Sequence, residues 1–332
     1  MIENLVSTII PVHNRAELVV QAVESVLAQS HPLVECIVVD DGSTDDTPTV
    51  LDALAAREPA RVHVVRKENS GPGASRELGR RVARGEFVQY LDSDDLLMRS
   101  KFEIQVAALK QAPSAALCYG VTEYYRINEE VTRRVFAGTD RPIERVFPAF
   151  LRARRWGTSS PLYRRSVTDR IGPWGVMWSE EDWEYDCRIG ALGLPVAHVN
   201  RVVSVQRGLV GQRLSQRGRD DVRTLAGQAE ARTRIYHCAK RAGVSRERQE
   251  MTWFLRGLFL LARDCGGNGL LSVASDLLDI VMAETADPSL RRKVAVYRGV
   301  AAVVGWESAS RAARFLERKR ALLRRPGVSG GR

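Results

Sequence analysis

The segment Phe87 to Asp95 reads FVQYLDSDD, an apolar run that ends in three carboxylates within four positions. A second apolar run, Cys36 to Val39, ends in a similar way at Asp40-Asp41-Gly42-Ser43. Open α/β sheets bind ligands outside the carboxyl ends of their strands, so these two runs predict an acidic cleft at one sheet edge. Carboxylates suit a hard divalent cation, and we therefore expect an enzyme that acts on a metal-bound nucleotide-diphosphate compound.

The rest of the chain indicates how this edge is built. Residues 5–117 alternate short β-branched runs with stretches of helical period, which is typical of β-α-β units in a parallel sheet. From Val121 to Phe136, aromatic or β-branched residues alternate with polar ones, which predicts added antiparallel strands. An acidic helix start follows at Ser179 to Trp183, and a further strand near Val196 to Val205. The predicted fold class is α/β, a Rossmann-like mixed sheet flanked by helices.

Beyond Gly218 the pattern is helical almost throughout, with breaks at Gly243, Gly266-Gly267 and Pro288. This predicts a separate all-helical module of four or five helices. The predicted divisions are a first domain at 1–217 with halves 1–119 and 120–217, a helical module at 218–325, and a disordered tail at 326–332.

Composition excludes several classes of protein. The chain has 332 residues, 44% of them hydrophobic, which is enough for about two domains. Its five cysteines are scattered without a Cys-x-x-Cys pair, which indicates neither a disulfide framework nor a zinc site. The N-terminus lacks a signal-length apolar region, and the longest apolar run, Val294 to Trp306, contains Arg298. These features predict a soluble cytoplasmic protein without a membrane span.

Charge is distributed unevenly along the chain. Residues 1–200 carry 24 Lys and Arg against 28 Asp and Glu, whereas residues 201–332 carry 26 against 12. The basic part could attract anionic lipid head groups or acidic glycans, or it could be solvated helix faces. It lacks the aromatic and glycine signatures of an RNA-binding domain, so we expect no nucleic-acid partner. Arg318-Lys319-Arg320 beside Leu316, Leu322 and Leu323 suggests peripheral membrane contact or self-association into a homo-oligomer.

Four motifs follow one another at defined spacing in the first part of the chain. They are TIIPVHNR at 8–15, VVDDGSTD at 38–45, NSGPGASR at 69–76 and LDSDD at 91–95. With these motifs, residues 5–207 resemble glycosyltransferase family 2, a large group of inverting, metal-dependent enzymes with the GT-A fold. No Gly-x-Gly-x-x-Gly follows the first strand, which disfavours a dinucleotide-dependent dehydrogenase.

The resemblance implies roles for residues at the ends of the predicted strands. The backbone of the Pro-x-x-Asn turn would touch the nucleotide base, and Asp41 would bond the base edge, although Asp40 and Asp41 could equally form a turn and helix cap. Asp92 would contact the ribose, and Asp94 would bind Mg²⁺ or Mn²⁺ bridging the two phosphates. The nucleotide-sugar-binding candidates are Pro11, Val12, Asn14, Asp41, Gly71, Arg76, Asp92, Ser93 and Arg207, and the metal candidates are Asp94 and Asp95.

Two of these candidates have ordinary structural alternatives, and a third lies where the chain departs from the family's pattern. Asp95 could coordinate the metal or cap the helix that begins near Leu96. Arg76 could neutralise diphosphate charge or be a solvated residue in the first turn of a helix. Arg207 is followed by Gly208-Leu209, where many family members have an Arg-x-His histidine that helps to hold the metal or diphosphate. Without that histidine, the metal would be held by carboxylates, waters and nucleotide oxygens, or would bind weakly.

The acidic segment Ser179 to Trp183 resembles the family's Glu-Asp-Trp motif. The resemblance implies that Asp182 is the catalytic base, which takes the proton of the acceptor hydroxyl. Glu181 would orient the acceptor or raise the pKa of the base through like-charge repulsion. The alternative is an acidic first turn stabilised by the helix dipole, as is expected of Glu180 and Glu184. The acidic segment is surrounded by four tryptophans that could line an acceptor site or pack in the core: Trp156, Trp174, Trp178 and Trp183.

Two functions remain open at the level of sequence. The first is an inverting transferase that moves a sugar from a nucleotide-diphosphate sugar, with UDP favoured, to a hydroxyl-bearing glycan, lipid-linked or small-molecule acceptor. The second is a degenerate binding protein that keeps nucleotide affinity on the same scaffold. The acids at Asp92, Asp94 and Asp182 favour the enzyme, and Leu209 favours the binding protein.

Overall fold

A computed structural model of the protein describes residues 1–126, 134–136, 138–208 and 221–323. The described residues form two compact units. The first holds the residues up to 208 together with Arg234–Val244, and the second holds the remaining described residues from 221 onward. Leu209 and the tail predicted at 326–332 lie outside the described residues.

A mixed sheet forms the centre of the first unit. Its strands are β1 Ile2–Val12, β2 Val34–Asp41, β3 Val62–Lys67, β4 Gly85–Tyr90, β5 Leu96–Leu97, β6 Leu117–Arg126, β7 Arg134–Val135, β8 Leu162–Arg164 and β9 Ala197–Gly208. They lie in the order β3-β2-β1-β4-β8-β6-β9-β5, and β7 pairs with β6. The mixed sheet confirms the predicted α/β class.

Strand direction brings several strand ends to one edge. The strands β1 to β4 run parallel to one another, and β8 is antiparallel to both β4 and β6. Because β9 is parallel to β6, the carboxyl ends of β1, β2, β4, β6 and β9 all lie at the same edge. Of the antiparallel strands predicted between Val121 and Phe136, β7 is present, but the long partner of β6 is the parallel strand β9. That partner follows β6 in the chain only after β7 and β8, so local alternation could not reveal its direction.

Helices of the first unit cover the sheet. They are α1 Ala16–Leu27, α2 Thr47–Arg57, α3 Pro72–Val82, α4 Lys101–Gln111, α5 Arg165–Ile171 and α6 Glu181–Gly190. Helix α1 buries Val19, Ala22, Val23 and Val26, the spacing of one helical face, against the apolar side chains of β1 and β2. The core therefore sits under the strand ends and leaves the acidic residues at the edge.

Close packing of α3 on the sheet gives a first prediction. A β-carbon added at Gly79 would lie 2.4 Å from Cγ2 of Ile9 and 3.3 Å from Cγ2 of Val39. We expect Gly79→Ala to lower the free energy of unfolding by about 1–3 kcal/mol, because the core must move to accept the methyl group. Gly299, in a helix of the second unit, has no atom within 4 Å of an added β-carbon. Gly299→Ala should therefore stabilise the protein by about 0.5–1 kcal/mol. Urea unfolding measures both variants, and equal changes in their free energy of unfolding would contradict the packing argument.

The second unit is helical. The helices of this part of the chain are α7 Val222–Arg241, α8 Gln249–Gly267, α9 Leu271–Glu284, α10 Pro288–Val304 and α11 Trp306–Leu323, and the end of α7 belongs to the first unit. Helix α10 begins after Asp287, whose side chain accepts a hydrogen bond from the N–H of Ser289 at 2.9 Å. The predicted helical C-terminal region is confirmed. Among the described residues, no helix is both long and apolar enough to cross a membrane.

Candidate active site

The end of β2 organises the loop that leads into α3. Oδ1 of Asp41 accepts hydrogen bonds from Nζ of Lys67 and from the N–H of Ser70, the latter at 2.9 Å. Oδ2 accepts the N–H of Gly71 at 2.8 Å. Gly71 has a φ of 89°, a conformation that favours glycine, and Pro72 then begins the helix. Both oxygens of Asp41 thus hold protein groups, and its contact with a base stays a prediction.

The end of β1 is tied to the turn after β2. Asn14, with a φ of 52°, donates its N–H to Oγ of Ser43 at 3.0 Å and accepts the N–H of Thr44 at 2.7 Å. Asp40 accepts the N–H of Ser43 at 3.0 Å, which is the turn that sequence analysis gave as the alternative to binding. Pro11 and Val12 pair with Val39 and Asp40 in the sheet. Asn14 therefore sets the relative position of two loops at the edge.

The LDSDD segment places its carboxylates in different surroundings. Asp94 forms an ion pair with Arg15 at 2.8 Å, and Ser93 between the acids is buried. Asp95, which is 2% exposed, accepts the hydroxyl of Ser159 at 3.3 Å and the N–H of Arg207 at 3.1 Å. Arg207 also donates from Nε to the carbonyl of Asp94. Asp95 thus joins the segment after β4 to the end of β9. Arg207 lies beside the acidic cluster, and its contact with a nucleotide phosphate stays a prediction.

These donors suit a divalent cation that also binds a substrate. Among the described ranges, no group of three or more His, Cys, Asp and Glu is arranged to hold a metal ion by itself. Mg²⁺ and similar hard cations are nevertheless commonly bound by one or two carboxylates together with substrate phosphates and water. The carboxylate side chain of Asp94, 11% exposed, fits that arrangement. A cation there would have to compete with Arg15 for the carboxylate.

Arg76 joins the two acidic clusters. Its Nη1 donates to Oε1 of Glu181 and its Nη2 to Oδ1 of Asp92, both at 2.8 Å. The guanidinium carbon lies 4.8 Å from the ring centroid of Trp174. The side chain is 5% exposed, which is wrong for a solvated first-turn residue, the alternative considered from sequence. Burial with two carboxylates makes Arg76 an internal cation of the site.

The same region brings α3 close to the loop before α6. A β-carbon added at Gly73 would lie 2.1 Å from the carbonyl oxygen of Gly175, so only glycine fits at this position. Trp174 in that loop stacks on Tyr185 of α6 at a centroid distance of 4.0 Å. Packing therefore holds Asp92 after β4 and Glu181 in α6 around one arginine.

Asp182 lies in the first turn of α6, and its two carboxylate oxygens have different hydrogen-bond partners. Its Oδ2 accepts hydrogen bonds from Nη1 of Arg154 and, at 3.3 Å, from the hydroxyl of Thr158. Its Oδ1 accepts the N–H of Trp183 at 2.7 Å, and the side chain is 28% exposed. Asp182 thus has solvent access at the sheet edge, as a base that meets an acceptor requires.

The two adjacent acids have opposite pKa shifts. Burial and then the neighbouring charge of Asp182 raise the pKa of Glu181, against the opposing effect of Arg76. Burial also acts to raise the pKa of Asp182, but Arg154 and Arg76 outweigh it, and the pKa lies below the ordinary value. The net pKa shift of Asp182 is downward, because the arginines around it stabilise its ionised form. The upward contribution suggested for Glu181 stays a prediction.

Sequence analysis missed several side chains that contact the predicted acids, among them Arg15, Lys67, Arg154, Thr158 and Ser159. Only Arg15 belongs to a recognised motif, and the contacts of all five depend on long-range pairing. The tryptophans serve mainly in packing: Trp156 is fully buried, Trp174 is 4% exposed, and Trp183 donates from Nε1 to the carbonyl of Phe150 at 3.0 Å. His198 has a structural role, with Nε2 2.9 Å from the carbonyl oxygen of Thr139.

Comparison with known proteins concerns the family and the fold of the chain. The model of glycosyl transferase family 2 matches residues 7–171. An uncharacterised glycosyltransferase of Rickettsia felis is 41% identical over 125 residues, which are 38% of this chain and 20% of that protein. The matched part of this chain thus spans about a fifth of the length of that relative.

Two solved structures share the fold over most of the chain. TarS 1–349 of S. aureus in complex with UDP-GlcNAc has a TM-score of 0.62 at 16% identity, covering 93% of this chain and 91% of TarS 1–349. The mannosyltransferase PcManGT of Pyrobaculum calidifontis, in complex with GDP-Man and Mn²⁺, has a TM-score of 0.54 at 17% identity, covering 93% and 86%. These similarities confirm the GT-A fold with a helical C-terminal region. On its motifs, its fold and the family match, the chain belongs to glycosyl transferase family 2.

Proposed function

We propose that this protein is an inverting glycosyltransferase that moves a sugar from a nucleotide-diphosphate sugar, with UDP favoured, to a hydroxyl acceptor. The observation that carries the proposal is the contact of buried Arg76 with both Asp92 and Glu181. This single cation links the acids predicted to hold the donor to the helix that bears the predicted base. A site for donor and acceptor at one sheet edge requires such proximity.

In the proposed reaction, the protein positions the donor and the acceptor and neutralises charge on the phosphates. Asp92, Ser93 and the ends of β1 and β2 bind the nucleotide, and Arg207 lies where it can neutralise phosphate charge. Asp182 takes the proton of the acceptor hydroxyl as that oxygen forms a bond to the anomeric carbon. The bond from that carbon to the diphosphate oxygen breaks, and its electron pair leaves with the nucleotide diphosphate. Attack opposite to the leaving group inverts the anomeric centre.

The donor set also supports a metal cofactor. Mn²⁺ or Mg²⁺ bound by Asp94, with Asp95 as the second candidate, would neutralise charge on the departing diphosphate. Support for a metal comes from the oxygen donors and from the Mn²⁺ in the PcManGT complex. Support for UDP comes from the TarS complex with UDP-GlcNAc, whereas GDP and dTDP donors remain alternatives to test. The acceptor class we propose is a hydroxyl of a polysaccharide, lipid-linked glycan or other glycoconjugate.

A donor screen tests the function. Purified protein with Mn²⁺ or Mg²⁺ is given UDP-, GDP- and dTDP-sugars with and without simple glycan acceptors, and released nucleotide diphosphate is measured. We expect release from one donor, lost in Asp94→Ala. Nucleotide binding without release from any donor or acceptor pair would instead favour the degenerate binding protein. NMR of the isolated product would establish whether the anomeric centre is inverted.

We further propose that the second unit contacts an anionic membrane from the cytoplasmic side. Helix α10 exposes Val296, Val300 and Val303 at 60%, 42% and 84%, and the exposed Arg292 and Lys293 precede them on the same face. We expect Arg292→Glu with Lys293→Glu to reduce sedimentation with phosphatidylglycerol vesicles at least fivefold. Neutral vesicles serve as control. Equal sedimentation of wild type and variant would contradict the proposal, and a change in mass by light scattering would indicate a homo-oligomer surface instead.

A further inference from the structure

A buried polar cluster lies behind Asp182, and Arg154 is at its centre. The side chain of Arg154 is 14% exposed and precedes Trp156 and Thr158 in a segment without regular structure. Its Nη1 donates to Oδ2 of Asp182 and, at 3.2 Å, to the hydroxyl of Thr158. Its Nε donates to Oδ2 of Asp186 at 2.8 Å. One guanidinium therefore bonds two acids of α6 that lie one helical turn apart.

Asp186 is bonded in a way that fixes this arginine. It is fully buried, and it also accepts Nε1–H of Trp156 at 2.9 Å and the hydroxyl of Tyr163 at 2.7 Å. A buried carboxylate with three donors has little freedom to move, and its charge requires a cation beside it. Asp186 does not reach the exposed edge, so its role is to hold Arg154 in one orientation.

The cluster leaves the two oxygens of Asp182 unequal. Oδ2 is occupied by Arg154 and Thr158, whereas Oδ1 accepts only the backbone N–H of Trp183 in the adjoining residue. A carboxylate oxygen can accept more than one hydrogen bond, so Oδ1 retains capacity for an acceptor hydroxyl. The anchored guanidinium thereby prevents rotation of the carboxylate and selects one oxygen for chemistry.

We propose that Arg154, anchored by Asp186, is a positioning residue that orients the carboxylate of Asp182 so that Oδ1 receives the acceptor proton. The inference rests on the proposed function, because it assumes that Asp182 is the base. Arg154 lies outside the recognised motifs. Asp186 acts by holding Arg154 in place and does not contact substrate.

The charges around Asp182 give this role a measurable signature. Arg154 and Arg76 favour its ionised form, whereas Glu181 and Asp186 are carboxylates nearby in α6. Burial raises the pKa of Asp182, and Arg154 is the largest opposing influence. If Arg154 is replaced by methionine, burial remains while that influence is lost, so the pKa must rise. Since a base must be ionised, the acidic limb of the pH profile should move to higher pH.

Kinetics of Arg154→Met and Arg154→Lys test the positioning role. We expect Arg154→Met to lower kcat at least tenfold, with little change in KM for the donor and with the acidic limb of kcat/KM at higher pH. Arg154→Lys keeps the positive charge, so the acidic limb of its pH profile should lie at the same pH as in wild type. Its kcat should remain below that of wild type, because an ammonium lacks the planar fork. Arg170→Met, on the exposed face of α5, is the matched surface control. Unchanged kcat and pH profile in Arg154→Met would overturn the proposal.

A second measurement does not depend on activity. Carboxyl ¹³C NMR of aspartate-labelled protein, with Asp182 assigned from Asp182→Asn, reports its pKa in wild type, Arg154→Met and Asp186→Asn. We expect a higher pKa in Arg154→Met. The change in Asp186→Asn should be smaller, because release of Arg154 raises the pKa of Asp182 while loss of the nearby carboxylate charge lowers it. Identical titrations would sink the positioning role even if the protein is a transferase. A raised pKa with no transfer by wild type on any donor would uphold the pairing and reject the proposed function instead.

Discussion

Replacing Asp182 with asparagine is expected to lower kcat for sugar transfer by about 10²–10⁴-fold, the usual contribution of a positioned general base. Asparagine keeps the size of the side chain and can still accept a hydrogen bond from Arg154, but it cannot take the acceptor proton. Donor binding should be almost unchanged, because the predicted nucleotide contacts lie at the ends of β1, β2 and β4. Steady-state kinetics with the donor found in the screen, and calorimetry with its nucleotide diphosphate, separate these two effects.

The control for this substitution is Glu180→Gln, which removes a neighbouring carboxylate from the position just before α6. We expect kcat of this variant to remain within about threefold of wild type, since Glu180 is half-buried with solvent access that screens its charge. Comparable losses in both variants would show that acidic charge near α6, rather than proton transfer by Asp182, supports the reaction. Full activity of Asp182→Asn would remove Asp182 as the base.

Much of the fold could be predicted from local pattern, because each early strand and helix has its own period and turn residues. Helix α1, Ala16–Leu27, lies in one of the predicted stretches of helical period, since its buried positions recur with helical spacing. The strands β5 and β8, of two and three residues, and the seven-residue helix α5 were missed, because segments this short carry no clear period. Their existence depends on partners elsewhere in the sheet, such as Val205 for Leu96.

The site was predictable only where motifs mark it. The motif acids lie at the strand ends as expected, since parallel strands expose their carboxyl ends together. Their ion-pair partners were not predictable: Arg15 is the first residue after a motif turn, and Arg154 lies 28 positions before Asp182. Which arginine meets which acid depends on how α3, α6 and the segment before β8 pack, and a basic residue in sequence looks the same whether it is paired or solvated.

The largest effect on stability is expected from Arg76→Met. This change leaves Asp92 and Glu181 without their common partner, and Glu181 is only 11% exposed. Removing one member of a buried ion pair typically costs about 3–5 kcal/mol, because the remaining charge is buried without compensation. Methionine would keep part of the contact with Trp174, so the loss should reflect charge more than volume. The free energy of unfolding of the first unit, measured in urea, should fall by about that amount.

Two further variants of α3 make this result interpretable. Arg81→Met removes an arginine that is 67% exposed and pairs with Glu77, and such a surface pair should cost less than about 1 kcal/mol. Arg76→Lys keeps the positive charge but cannot bond both acids through a planar fork, so an intermediate loss is expected. Protonation of Glu181, whose pKa is raised, relieves the unpaired charge. The deficit of Arg76→Met relative to wild type should therefore shrink as the pH is lowered, and a deficit independent of pH would mean that packing against Trp174 is what Arg76 contributes.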